Sequence, residues 1–257
     1  MKLIMQFSKN DGMIELPIHY NHMLQSFLYR YLSDDHYREF LHEEGYAFEK
    51  RRFKGFTFSR LDSTYSIDSK RGVIRFQSPV TWTVTAVKEA LIRDLMTTLL
   101  KQDQLKWYDQ KVQLESLRSE AIPSVTSPTY VRTLSPITMY TTILDEHHQK
   151  KTHYYHVEDR AFSSLIQQNL IKKYVALYEK EPDDVSFSIS PVRIKQRPEV
   201  VRFKRFIIKG WMGVFRCTGS PELIQFALKA GMGAKSSQGL GCVEIWEEGD
   251  IYDRSRA

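Results

Sequence analysis

"AGMGAKSSQGLGCVEI", Ala230 to Ile245, sets four glycines, Gly231, Gly233, Gly239 and Gly241, within eleven consecutive positions. Glycine costs a chain conformational entropy, so such density needs positive φ angles or a partner pressed against bare backbone. Just upstream, Ser220, Pro221 and Glu222 read as the N-cap, first turn and acidic second position of a helix whose apolar stripe is Leu223, Ile224, Ala227 and Leu228. Gly231 is then its C′ residue, and Cys242 to Trp246 alternate as a half-buried strand. The other three glycines predict either a loop whose backbone N–H groups meet an anion or a tight turn packing two sheets together.

This helix and strand close a pattern that the chain uses twice. Residues 1 to about 118 read as strand (Leu3 to Phe7), helix (about Asn21 to Leu32), strands (Phe53 to Leu61 and Gly72 to Gln77), helix (about Thr85 to Leu100) and strand (Lys111 to Leu117). "AIPSVTSP", Ala121 to Pro128, reads as a linker. The second half predicts a strand over Thr129 to Leu134, a helix over Arg160 to Tyr178, and a long hairpin of Val185 to Lys195 with Val201 to Cys217. Two βαββαβ units in tandem define an α+β protein of two ferredoxin-like domains, residues 1–121 and 122–257, each with an antiparallel sheet covered on one face by helices. The open faces of such sheets are common platforms for RNA.

Composition narrows the partner. The chain has 257 residues, 42% hydrophobic, with 37 Lys and Arg against 31 Asp and Glu. The basic balance favours a polyanion, and no apolar run approaches the length of a membrane span. "MKLIMQF" reads as a strand rather than a signal peptide, and two cysteines in apolar strand patterns, Cys217 and Cys242, fit buried thiols in a reducing cytoplasm.

In the second-half hairpin Val192 and Ile194 alternate with Arg193, Lys195 and Arg197, followed by Arg202, Lys204, Arg205 and Lys209. Period-two alternation puts the apolar residues inward and the cations on one outer stripe, suited to phosphates. Lys50, Arg51, Arg52 and Lys54 form a second basic cluster. Among eight histidines, His147, His148, His153 and His156 match no compact zinc spacing, so no metal site is expected. His42, in "FLHEEG", precedes the basic cluster; it is either a structural helix-end histidine or a proton-transfer group for RNA cleavage, with His36 as its rival.

Tandem βαββαβ halves, "FLHEEG" leading to "KGFTFS", "TLSPI" and the terminal "GMGAKSSQGLG" together resemble the CRISPR-associated endoribonucleases of the repeat-associated mysterious protein superfamily. The likeness covers nearly the whole chain. Its most specific element pairs Gly231-Met232-Gly233 with Gly239-Leu240-Gly241 across five residues that include Lys235. The resemblance implies a catalytic His42 assisted by Lys54 and by Tyr29, with Tyr31 the rival tyrosine. It implies RNA contacts from the glycine loop with Lys235, Ser236, Ser237 and Gln238. The partner it implies is CRISPR repeat RNA, with other effector-complex subunits as further partners and no direct DNA contact. No metal or cofactor is implied, because the nucleophile is the substrate's own 2′-hydroxyl. A non-catalytic guide-RNA-binding subunit is the alternative within the same superfamily.

Overall fold

Leu3, Met5 and Phe7, at alternate positions of the first strand, are wholly buried, and a sheet grows on both sides of that strand. The computed structural model describes residues 1–247 apart from 145 and 147. In the N-terminal half β1 (Lys2–Ser8), α1 (Asn21–Arg30), β2 (Phe56–Phe58), β3 (Val80–Ala86), α2 (Glu89–Leu100) and β4 (Gln110–Glu120) run in βαββαβ order. The pairings are antiparallel in the order β2-β3-β1-β4, with Leu105–Trp107 added beside β4. The C-terminal half repeats the unit with β5 (Thr129–Thr133), α3 (Arg160–Tyr178), β6 (Phe187–Ile194), β7 (Gly213–Gly219), α4 (Pro221–Ala230) and β8 (Val243–Ile245), in the order β6-β7-β5-β8. Both halves are ferredoxin-like.

Four expected elements differ. The strand at Val73–Gln77 lies outside the main sheet, pairing with Met13–Pro17 and Tyr65–Asp68. The third sheet strand is instead β3, where β-branched Thr81, Thr83 and Thr85 alternate with buried Trp82, Val84 and Ala86, and the helix starts only at Glu89. The stretch from Phe53 to Leu61 divides at Gly55 (φ +72), so that Arg51–Phe53 pairs with Tyr46–Phe48 and only Phe56–Phe58 joins the sheet. Val201 to Cys217 divides too, because the chain reverses at Lys204 (φ +54) into the hairpin Glu199–Phe203 with Phe206–Gly210 before β7 begins.

Each half has its own apolar core, one around Phe7, Phe27, Trp82 and Trp107, the other around Phe162, Ile166, Phe215 and Ile224. The first sheet does not leave a face open. Thr57 and Thr85 are buried where their hydroxyls donate to Leu240 O at 2.8 Å and Lys229 O at 3.1 Å, so the second half covers that face. In the second sheet Tyr130 and Arg216, cross-strand neighbours, stay exposed beside buried Val131, Phe215 and Cys217.

Candidate active site and basic cleft

"FLHEE", Phe40–Glu44, forms a single π turn in which Gly45 N–H donates to Phe40 O at 2.7 Å. Gly45 is needed there: its φ is +68, and a Cβ would stand 2.6 Å from Phe53 O. Wide turns of this kind recur at functional sites. The turn presents His42 to solvent, and its Nδ1–H donates to Glu43 Oε1 at 2.5 Å, which leaves Nε2 as the nitrogen free for chemistry. The Tyr29 ring meets the His42 ring edge-on at 5.3 Å, and its hydroxyl donates to Leu41 O at 3.4 Å. Burial pushes the Tyr29 hydroxyl up to about 12, so it keeps its proton. Ser26, Tyr29 and Arg30 fall on one face of α1 and, with Arg38, Glu39 and Glu43, line a shallow pocket around His42. The rival positions separate cleanly. Tyr31 is a core residue whose hydroxyl accepts from Lys106 N at 2.9 Å, and His36 lies exposed on the helix Asp35–Glu39, outside that pocket.

Lys54 reaches His42 through its backbone: Nζ donates to His42 O at 3.0 Å, so the lysine braces the π turn. Burial pulls its pKa below the ordinary lysine value. Its stem also lines a cleft of about 620 Å³ between the two halves. Arg51, Arg52, Lys54, Lys172, Lys173 and Lys235 line that cleft and no acidic residue does. Such a lining concentrates positive potential on a phosphate backbone. Lys235, in the left-handed region at φ +61, holds its ammonium 5.1 Å over Tyr140 and 5.9 Å over Phe206.

The glycines of the loop face protein rather than open space. All four are buried with φ between +71 and +79. A Cβ on Gly231 would stand 2.9 Å from Thr57 Cβ, on Gly233 2.5 Å from Thr138 O, on Gly239 2.7 Å from Phe58 Cζ and on Gly241 2.8 Å from Met232 C. Of the two expectations these contacts fit the packing turn: Gly231 and Gly239 let the loop press against Thr57 and Phe58 of the first half, and Gly233 and Gly241 fit it against Thr138 and Met232 of the second. Asn21 Nδ2 donates to Gln238 O at 2.9 Å and Gly239 O at 3.1 Å, and Gln25 Nε2 to Ser237 O at 2.7 Å. From behind, wholly enclosed Lys173 donates to Gly231 O (2.7 Å), Gly233 O (2.8 Å) and Ser236 Oγ (2.7 Å). Three acceptors meet the three protons of an ammonium, while burial pulls its pKa down to about 7. Ser236 is buried by this clamp; Lys235, Ser237 and Gln238 are half-exposed at the cleft.

The remaining basic positions divide. Arg51 and Arg52 enter the cleft, whereas Lys50, Arg193, Lys195, Arg197, Arg202 and Lys204 do not line it. Arg193, Arg197, Arg202 and Lys204 are exposed, but Lys195 is tied to Glu199 at 2.7 Å, and Glu199 also holds Arg60 at 3.0 Å across the two halves. A bulge between Pro191 and Arg193 turns Val192 outward, 52% exposed, against the expected inward alternation. His156 packs on Trp211 with ring centroids 4.2 Å apart, and His147 lies outside the described residues. Cys217 and Cys242 are free and buried, with thiol pKa values pushed up by burial. No described helix is long and apolar enough to cross a membrane.

Sequence reading had no signal for Glu43 as partner of His42, for Arg30 and Arg38 at its pocket, or for Lys172, Lys173 and Asn169 on α3. All look like ordinary polar helix positions. Lys173 was detectable only as a cation falling on the buried side of α3, four residues from Asn169.

Known proteins share this architecture. The solved structure of an RAMP protein binding different RNA substrates matches with a TM-score of 0.80 at 21% identity, covering 96% of this chain and 100% of that one. The fold is that of the tandem ferredoxin-like RAMP proteins. Residues 120–245 match the family model described as CRISPR associated protein Cas6, C-terminal. A CRISPR-associated endoribonuclease Cas6 of Methanocaldococcus jannaschii is 26% identical over 241 residues, 91% of this chain and 89% of that protein. The structure of a Cas6-related gene product from Pyrococcus furiosus matches with a TM-score of 0.81 at 23% identity, covering 96% of this chain and 99% of that one. Residues 120–245 thus carry the Cas6 C-terminal pattern, and the chain as a whole is similar to Cas6 proteins in sequence and in fold.

Proposed function

We propose that this chain is an endoribonuclease that cuts CRISPR repeat RNA in its precursor transcript, without a metal ion, by attack of a 2′-hydroxyl. Its M. jannaschii relative is named a CRISPR-associated endoribonuclease. The observation that carries the reading is the His42 pocket: an exposed imidazole with Nδ1 held by Glu43, set edge-on to Tyr29 and flanked by Arg30 and Arg38. His42 Nε2 takes the 2′-hydroxyl proton as that oxygen attacks phosphorus in line. The P–O5′ bond breaks, and the imidazolium returns a proton to the departing 5′-oxygen. The products are a 2′,3′-cyclic phosphate and a 5′-hydroxyl. Arg30 and Arg38 meet the charge that grows on the phosphorane oxygens, and Lys54 keeps the turn in place.

In this reading residues 1–121 carry the chemistry, and residues 122–257 supply the loop that closes the basic cleft along which the RNA backbone runs. The exposed stripe of Arg193, Arg197, Arg202 and Lys204 extends that track. The test is labelled repeat RNA mixed with protein in EDTA. One discrete cut ending in a cyclic phosphate is expected. A mobility shift with no cut would make the chain a guide-RNA-binding subunit instead.

A further inference from the structure

Asn169 is 3% exposed, lies on the cleft face of α3, and its Oδ1 has no hydrogen-bond partner. Gln238, across the cleft in the glycine loop, has a buried Oε1 that is likewise unpartnered. Buried polar atoms are satisfied with few exceptions, and each exception costs free energy that an arriving donor recovers. The two acceptors stand on either side of one joint, because Lys173, a turn beyond Asn169, donates to Ser236 Oγ, two residues before Gln238. Around them the cleft offers cations for phosphates and no acid.

We infer that this part of the cleft is a base-reading pocket that takes one splayed guanine of the bound RNA, with Asn169 and Gln238 accepting from its Watson–Crick edge. The inference rests on the proposed RNA-cleaving function and deepens it. Sequence-specific proteins read single-stranded RNA by pulling unstacked bases into pockets and hydrogen-bonding those edges. Two unpartnered acceptors lining one cleft are met together by a base edge with two adjacent donors, and among the four bases only guanine presents them on its Watson–Crick edge, as N1–H and N2–H₂. Lys172, Arg51 and Arg52 then take the flanking phosphates, so charge supplies affinity while the amides supply choice.

The test is selection of randomised single-stranded RNA on the full chain, followed by sequencing. Wild type is expected to enrich a guanine at one position, and Asn169→Leu and Gln238→Met are each expected to weaken that preference by about tenfold or more. Replacing the selected guanosine by inosine, which lacks the N2 amine, should weaken binding to wild type and leave at least one variant indifferent. Binding without guanine preference, or variants that keep it, would overturn the inference while leaving RNA binding intact; the amides would then face only water. Failure of wild type to bind any RNA would overturn the proposed function itself. Should Asn169→Leu fail to fold, Gln238→Met on the half-exposed loop decides alone.

Discussion

Replacing Gly239 by alanine separates the two uses that a glycine-rich loop can have. Gly239 has φ +76, and its added Cβ would drive into the Phe58 ring and come within 2.7 Å of Asn21 Nδ2. Gly12 offers a control with nearly the same backbone, φ +75, and nothing within 4 Å of an added Cβ. Both substitutions incur the left-handed penalty, about 1–2 kcal/mol. Only Gly239→Ala adds overpacking against a buried ring, about 1–3 kcal/mol more. In a chain of this size each kcal/mol moves the melting temperature by about 2–4 °C, so Gly239→Ala should melt about 2–12 °C below Gly12→Ala. Thermal unfolding of both variants without RNA measures this directly. If they melt together while Gly239→Ala alone loses RNA binding, the glycine makes room for phosphate and the packing account is wrong.

Three further outcomes follow from the same geometry. Folded Lys173 loses its proton near pH 7 and the unfolded side chain near 10.5, so between those values the unfolded chain binds more protons and stability rises with pH. Urea midpoints at pH 7 and 9 should show that rise in the parent and a smaller one in Lys173→Met; equal slopes would show that Lys173 does not titrate there. Lys235→Ala should lower the log–log salt slope of RNA binding by about 0.7, and Lys195→Ala, already neutralised by Glu199, should leave it nearly unchanged. Equal effects in a salt series would show that Lys195 leaves Glu199 to meet a phosphate, and that its ion pair does not neutralise it. Tyr29→Phe removes one long hydrogen bond to Leu41 O and should slow single-turnover cleavage only several-fold; a loss as large as that of His42→Ala would make the hydroxyl a proton donor.

What could be read from the chain was what local physics dictates. Arg160–Tyr178 and Pro221–Ala230 were legible from apolar spacing and from the Ser220 cap, whose hydroxyl accepts from Leu223 N at 3.4 Å. β3 was not, because both faces of "VTWTVTA" are buried, one under each half, and its threonines carry no outward polar signal. The site divided in the same way. His42 and Tyr29 could be named, but their contact depends on a π turn held by Gly45 and Lys54, which no periodicity announces. The loop glycines were visible as an anomaly, yet Thr57 and Phe58, against which Gly231 and Gly239 pack, lie more than 170 positions away. Asn169 and Lys173 stayed hidden since only tertiary burial distinguishes them from neighbouring helix polars.

The central claim is that His42 performs the proton transfer, and His42→Ala in a single-turnover cleavage assay with saturating protein and EDTA tests it most directly. One general acid–base group is worth about 10² to 10⁴ in rate, so cleavage should slow by that factor. Affinity for repeat RNA should stay within a few-fold, because His42 lies outside the cationic cleft proposed to hold the phosphates. A variant that cuts as fast as the parent would contradict the account, and cleavage lost only with His36→Ala would move the chemistry to the other histidine.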